Sequence, residues 1–146
     1  MQNLKTKNAD KIIFIENKAN YIDYIQNKKK DNEFVIYHGG MYSPIKGEFF
    51  RKIYETAKGK DFYHWSDIDI GGFKIFIRLQ KTIPELKQYK MGREDFYSKR
   101  NYWKEMSKDY RDRLLKMRLL EEYKVFFDVM DAMIKSNCKL EQEAFI

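Results

Sequence analysis

Three short apolar runs, each followed by a segment with apolar residues at helical spacing, constrain the fold of this chain more than anything else in it. The first run is Ile12-Ile13-Phe14-Ile15, ahead of Lys18 to Gln26, where Tyr21, Ile22 and Ile25 mark one helical face. The second is Phe34 to Tyr37, ahead of a helix whose Ile45, Phe49, Ile53 and Phe50, Tyr54, Ala57 form one broad apolar face. Ser43-Pro44 starts that helix, an N-cap followed by a proline whose missing N–H costs nothing there. The third run, Phe62 to Ser66, precedes a helix marked by Phe73, Phe76 and Ile77. Strands alternating with helices form βαβ units with right-handed crossovers. The expected fold is α/β, a central parallel sheet of about four strands flanked by helices, with a helical C-terminal part.

In such a sheet the carboxyl ends of the strands share one edge, and ligands bind there. Those ends here are Glu16, His38-Gly39-Gly40 and Asp67-Ile68-Asp69. Asp67 and Asp69 are two positions apart, so in an extended chain they face the same way, roughly 6 to 7 Å from each other. Anionic groups so close repel unless a cation or a shared proton intervenes. A hard divalent cation is the natural partner of oxygen ligands. Asp and Gly are also ordinary turn residues, and most Asp-X-Asp triplets are solvated strand ends or caps. The convergence of three carboxylates and a glycine pair on one edge is what favours a metal site. It is also expected to raise at least one of the three pKa values.

A strand ending in Glu, a strand–Gly loop–helix unit, and a strand ending in Asp-X-Asp before Gly resemble the Toprim domain of topoisomerases, primases and several nucleases. A closer resemblance spans nearly the whole chain, through Phe14-Ile15-Glu16-Asn17-Lys18, Tyr37-His38-Gly39-Gly40-Met41-Tyr42-Ser43-Pro44, Trp65 to Phe73 and Leu140-Glu141-Gln142-Glu143-Ala144. Together these segments resemble the C-terminal Toprim domain of JetD, the nuclease subunit of the bacterial Wadjet anti-plasmid systems. The A subunit of type IIB topoisomerase is a relative of that family.

The resemblance implies that Glu16 is a metal ligand or general acid/base. It likewise implies that Asp67 and Asp69 bind Mg²⁺ (or Mn²⁺), all three being catalytic. Gly39 and Gly40 match the loop that lets backbone approach phosphate, as glycine permits. Lys18, Lys46, Arg111, Arg113 and Lys116 are the cations expected to bind phosphate or DNA beside them. Glu141 and Glu143 match the terminal motif, where packing and metal binding are both open. The expected partners are DNA and a condensin-like SMC complex, with homodimerisation open. The topoisomerase relatives carry a nucleophilic tyrosine on a separate winged-helix domain, and longer Wadjet subunits have extensive N-terminal regions. Here the first strand begins after about ten residues, most of them polar, so residues 1–146 are expected to be a single domain without those parts. None of the 11 tyrosines sits in a recognisable nucleophile context, so strand passage is not expected of this chain alone.

A chain of 146 residues buries roughly 70% of its unfolded surface, enough for one core. No apolar stretch approaches the length of a membrane span. The opening Met1-Gln2-Asn3-Leu4-Lys5-Thr6-Lys7 lacks a signal-peptide core, which points to the cytoplasm. A lone Cys138 precludes an internal disulfide, fits a reducing compartment and excludes cysteine-based zinc binding.

The net charge of +7 points to an anionic partner, and residues 87 to 118 carry most of it, with eleven Lys/Arg against five Asp/Glu. Tyr89, Phe96, Tyr97, Tyr102, Trp103 and Tyr110 are interleaved there. Such a segment is either a nucleic-acid surface with stacking aromatics or a set of solvated helix faces above buried rings. The stripe Leu119, Leu120, Tyr123, Phe126, Phe127, Met130, Met133, Ile134 reads as core packing or a partner face, with packing favoured. Lys28 to Asn32 reads as a solvated loop. His64 reads as structural, and His38 as a residue within reach of phosphate.

Two functions follow. One is a Mg²⁺-dependent DNA endonuclease, expected to be weak or inactive as an isolated domain without the regions that position DNA in longer relatives. The other is a catalytically silent domain that binds DNA or protein. Among enzymes, a topoisomerase-type or RNA-processing Toprim protein is the remaining reading.

Overall fold

The computed structural model describes residues 9–40 and 43–146. Met41 and Tyr42 of the glycine-loop motif, and Met1 to Lys7, lie outside them. The expected alternation is present: β1 (Lys11–Ile15), α1 (Lys18–Asn27), β2 (Glu33–Tyr37), α2 (Pro44–Thr56), β3 (Asp61–Trp65) and α3 (Ile70–Thr82). A two-residue strand, β4 (Lys87–Gln88), completes a four-stranded parallel sheet in the order β2-β1-β3-β4. β1 is central, in register with β2 (Ile15 opposite Tyr37) and β3 (Ile15 opposite Trp65). Covered on both faces, it must be apolar throughout, and Ile12 to Ile15 are all buried.

The chain leaves β1 towards β2, then returns past β1 to β3 and moves on to β4. The sheet therefore has its topological switch between β1 and β3, the crevice where such sheets bind ligands.

Ring contacts sort the helices by face. Phe50 and Tyr54 of α2 meet Phe14 and Phe62, and Phe76 of α3 meets His64, all on one face of the sheet. Tyr24 of α1 meets Trp65 on the other face. The rest of the chain forms α4 (Arg93–Ser98), β5 (Lys104–Glu105), α5 (Lys108–Arg118), a 3₁₀ turn Glu121–Phe126, α6 (Phe127–Ser136), β6 (Cys138–Lys139) and a final 3₁₀ turn Gln142–Phe145. Strands β5 and β6 pair antiparallel as a separate ribbon. Phe126 stacks on Phe73 at 4.4 Å and meets Phe76 edge-on, locking this C-terminal layer to α3.

Several face assignments are corrected. In α1 the buried residues are Asn20 and Tyr24, while Ile22 and Ile25 are exposed. The polar pair is tolerated inside because Asn20 Nδ2 donates to Gln142 O (2.8 Å) and the Tyr24 hydroxyl donates to Glu33 (2.9 Å). In α2 Phe50 and Ile53 are buried and Ala57 caps the helix in the core, but Ile45 is 82% exposed. The C-terminal stripe packs inward at Tyr123, Phe126, Met130 and Met133, whereas Leu119 and Leu120 lie outside. Most interleaved aromatics of the basic segment are structural. Phe96 stacks on Trp103 at 4.5 Å, Trp103 Nε1 donates to Phe96 O, and Tyr89 packs on Trp65. Tyr102 alone of that set is exposed. Among the described residues no helix is long and apolar enough to cross a membrane.

Candidate metal centre

Pairing between β1 and β3 continues past the named strands, since the Glu16 N–H donates to Trp65 O at 3.0 Å. Glu16 thus leaves the sheet at the switch point, beside the exit of β3. There Ile68 turns into the core and forms an antiparallel bridge with Leu140. With Ile68 inward, Asp67 and Asp69 project to the opposite side, as alternation in an extended segment requires. Asp69 is the N-cap of α3, accepting the Gly72 N–H at 2.7 Å. Asp67 Oδ1 accepts the Gln142 N–H at 2.5 Å.

Glycines make this crowding feasible. A Cβ on Gly72 would lie 2.0 Å from Asp67 O and 2.6 Å from Ser66 Oγ. One on Gly40, which has φ +79°, would lie 2.7 Å from Glu16 Oε1. The Gly39-Gly40 loop is therefore tucked against Glu16. His38 shapes it from inside: its Nδ1 accepts the Gly40 N–H at 3.3 Å and its carbonyl accepts Lys46 Nζ at 2.6 Å. Buried against His64 (ring centroids 5.1 Å apart), His38 has its pKa pushed down to about 4 by desolvation, with Lys46 adding to the effect. It is a neutral loop-former buried beneath the glycines. His64 is fully buried, and neither of its ring nitrogens has a hydrogen-bond partner among the described residues.

Burial also dominates the carboxylates. It raises Glu16 to about 7, with Asp67 and then Asp69 adding repulsion and the Asp67 backbone N–H opposing. Asp67 is raised to about 6, first by burial, against its bond from Gln142, with Asp69, Glu141 and Glu143 adding to the rise. Asp69 is raised by burial too, opposed by its N-cap bond and Lys139. The expected rise is present, and desolvation exceeds mutual repulsion as its cause.

Oxygen donors alone make up this set, and Glu16 Oε2 is buried without a hydrogen-bond partner among the described residues. That chemistry suits a hard divalent cation. Among the described residues, however, no three His, Cys, Asp or Glu side chains are gathered closely enough to form a ready-made centre. An ion would have to draw them together.

Three residues that hold the site have no signal in local spacing. Asn17 caps α1 through the Asn20 N–H, takes Gln142 Oε1 on its own N–H, and donates Nδ2 to Glu143 at 2.9 Å. Gln142 binds Asn17, Asn20 and Asp67, which ties the C-terminal segment across the switch point. Tyr110 accepts the Ile70 N–H at 2.7 Å, a second cap on α3 beside Asp69. Glu141 pairs with Lys104 at 2.7 Å and Glu143 with Asn17, so both act through neighbouring side chains.

The expected phosphate-binding cations are scattered. Lys18 is exposed on the first turn of α1, and Lys46 is engaged with the glycine loop. Arg111 ties α5 to the end of α6 through Ile134 O (2.6 Å) and Asn137 Oδ1 (3.3 Å). Arg113 lies over the Tyr110 ring, and Lys116 is exposed.

Fold and site together define a small parallel α/β domain with three coupled carboxylates at the switch point of its sheet. The chain belongs to the family described as Wadjet protein JetD, C-terminal, which matches residues 1–146. It is 30% identical over 140 residues to the Wadjet protein JetD of Bacillus cereus (strain Q1). The match covers 94% of this chain and 34% of that protein, so the chain spans about a third of the length of this curated relative.

Proposed function

We propose that this domain is the Mg²⁺-dependent DNA endonuclease part of a Wadjet-type plasmid-defence system, working beside a condensin-like complex. The observation that carries the reading is Glu16, half-buried and electrostatically coupled to both Asp67 and Asp69 at the sheet's switch point. Glu16, Asp67 and Asp69 would hold the cation. When bound, Mg²⁺ or Mn²⁺ supplies Lewis-acid polarisation of a phosphate and lowers the pKa of water. The chain's own groups do the rest. Glu16 Oε2, which has no hydrogen-bond partner among the described residues, is the oxygen left open to a cation. Gly39 and Gly40 bring backbone to the phosphate without side-chain obstruction. Gln142 fixes the orientation of Asp67, and the Asp69 cap ties the site to α3. Lys104 and Lys139 temper the negative charge without occupying the carboxylates, through Glu141 and towards Asp69 respectively.

The test is incubation with supercoiled plasmid, linear duplex and RNA, with and without Mg²⁺ or Mn²⁺. The reading expects metal-dependent nicking or cutting of DNA. Cleavage of RNA alone, or metal-independent cleavage, contradicts it.

A further inference from the structure

A cleft of about 530 Å³ runs along α3 between that helix and the 3₁₀ turn carrying Glu122 and Tyr123. Its walls include Gly40, Gly71, Lys74, Arg78 and Lys81. The two glycines lie against the carboxylates: a Cβ would stand 2.7 Å from Glu16 Oε1 at Gly40 and 3.4 Å from Asp69 Oδ1 at Gly71. One end of the cleft therefore lies next to the candidate metal centre, with only glycine backbone between them.

Its charge is one-sided. Lys74, Arg78 and Lys81 are spaced four and three apart, so at 3.6 residues per turn they fall on one stripe of α3. The stripe covers about 10 Å of helix axis at 1.5 Å per residue, roughly three phosphate-to-phosphate steps of about 3.4 Å along one strand of a duplex. Glu122 is the one acidic residue in the lining. Lys74 and Lys81 are exposed, and neither engages a carboxylate among the described residues. By contrast Arg111, in the basic segment singled out by composition, is spent on α6.

We infer that the α3 cleft is the track for the DNA strand leading to the carboxylates, with Lys74, Arg78 and Lys81 binding successive backbone phosphates. The inference rests on the endonuclease reading for its choice of ligand. The phosphodiester that reaches Glu16, Asp67 and Asp69 has to continue somewhere, and this cleft is concave, cationic and next to them. Recognition of this kind is independent of sequence, through charge alone.

The test is fluorescence anisotropy of a 20-base-pair duplex titrated with protein in EDTA, where cleavage plays no part, over a series of salt concentrations. Lys74→Ala/Lys81→Ala should bind several-fold more weakly. Its plot of log K against log salt should be shallower by about 2, one unit per lost phosphate contact. Arg113→Ala/Lys116→Ala should change both less, and the melting temperature of each double variant should stay at the wild-type value. Unchanged affinity and slope in Lys74→Ala/Lys81→Ala overturns the inference, as does wild-type protein that fails to bind or prefers duplex RNA. A protein that binds through the cleft but never cuts defeats the endonuclease reading alone. One that cuts while the cleft variant binds normally defeats only the cleft.

Discussion

Glu16 is where residue-scale physics meets function, because taking a carboxylate out of water matters more to it than the two aspartates do. The sign of the resulting pH dependence is fixed. A carboxylate raised from 4.5 to about 7 on folding binds more protons in the native state, so metal-free stability falls as pH rises through that window. Lowering the pH from 8 to 6.5 should raise the melting temperature of the metal-free protein, and Glu16→Gln should remove most of that rise, leaving the smaller part due to Asp67. Below pH 6.5 the rise levels off, because His38 is held neutral in the native state with its pKa near 4, and the proton its unfolded form takes up offsets the one Glu16 gains on folding. A flat wild-type profile between pH 8 and 6.5 would contradict the burial of Glu16. Gly72 gives a steric counterpart. Gly72→Ala forces a methyl to 2.0 Å from Asp67 O and should cost about 3 kcal/mol, the upper end for overpacking. Gly71→Ala meets only Asp69 Oδ1 at 3.4 Å and should stay within about 1 kcal/mol of wild type. Urea midpoints measure both.

Among elements, the final segment decides how firmly the site is held. Gln142 opens its 3₁₀ turn, where proline is tolerated, and Glu141 before it is extended (φ −79°, ψ 147°). Gln142→Ala removes the side-chain bond to Asn17, while Gln142→Pro also removes the N–H that Asp67 accepts. The proline variant should therefore be less stable than the alanine variant by about 1.5 to 3 kcal/mol, the worth of a bond to a charged group. Equal denaturation midpoints would show that the bond contributes nothing. The same segment marks the limit of what the chain discloses as text. The three longer strands and the helices after them were legible because apolar runs and helical spacing are local. Glu16, Asp67 and Asp69 were legible because strand ends share an edge. Strand β4 was not, since Lys87–Gln88 has no apolar run and exists only by pairing with Tyr63 and His64. Nor was the inward face of α1, because Asn20 and Tyr24 owe their burial to partners supplied by Gln142 and Glu33. Gln142 lies more than 120 positions from Asn17, beyond any spacing rule.

Across the whole molecule, a chain of net charge +7 brings Glu16, Asp67 and Asp69 together at the switch point of its sheet. A cation that binds only the native state stabilises it by mass action, about 2.7 kcal/mol at a hundredfold excess over its dissociation constant. Mg²⁺ or Mn²⁺ should therefore raise the melting temperature at pH 8, and Asp67→Asn should reduce that rise. Asn keeps an oxygen for the Gln142 N–H, so the metal-free variant should be no less stable than wild type. Loss of metal-free stability would mark Asp67 as purely structural. The central claim, that Glu16, Asp67 and Asp69 form a metal-dependent nuclease centre, is met most directly by one comparison. Wild-type, Glu16→Ala, Asp67→Ala and Asp69→Ala proteins, purified identically and shown to fold, are incubated with supercoiled plasmid and Mg²⁺ or Mn²⁺. The expected result is slow nicking by the wild type alone, abolished by EDTA. Equal nicking by wild type and Asp67→Ala, or none by either, would contradict it.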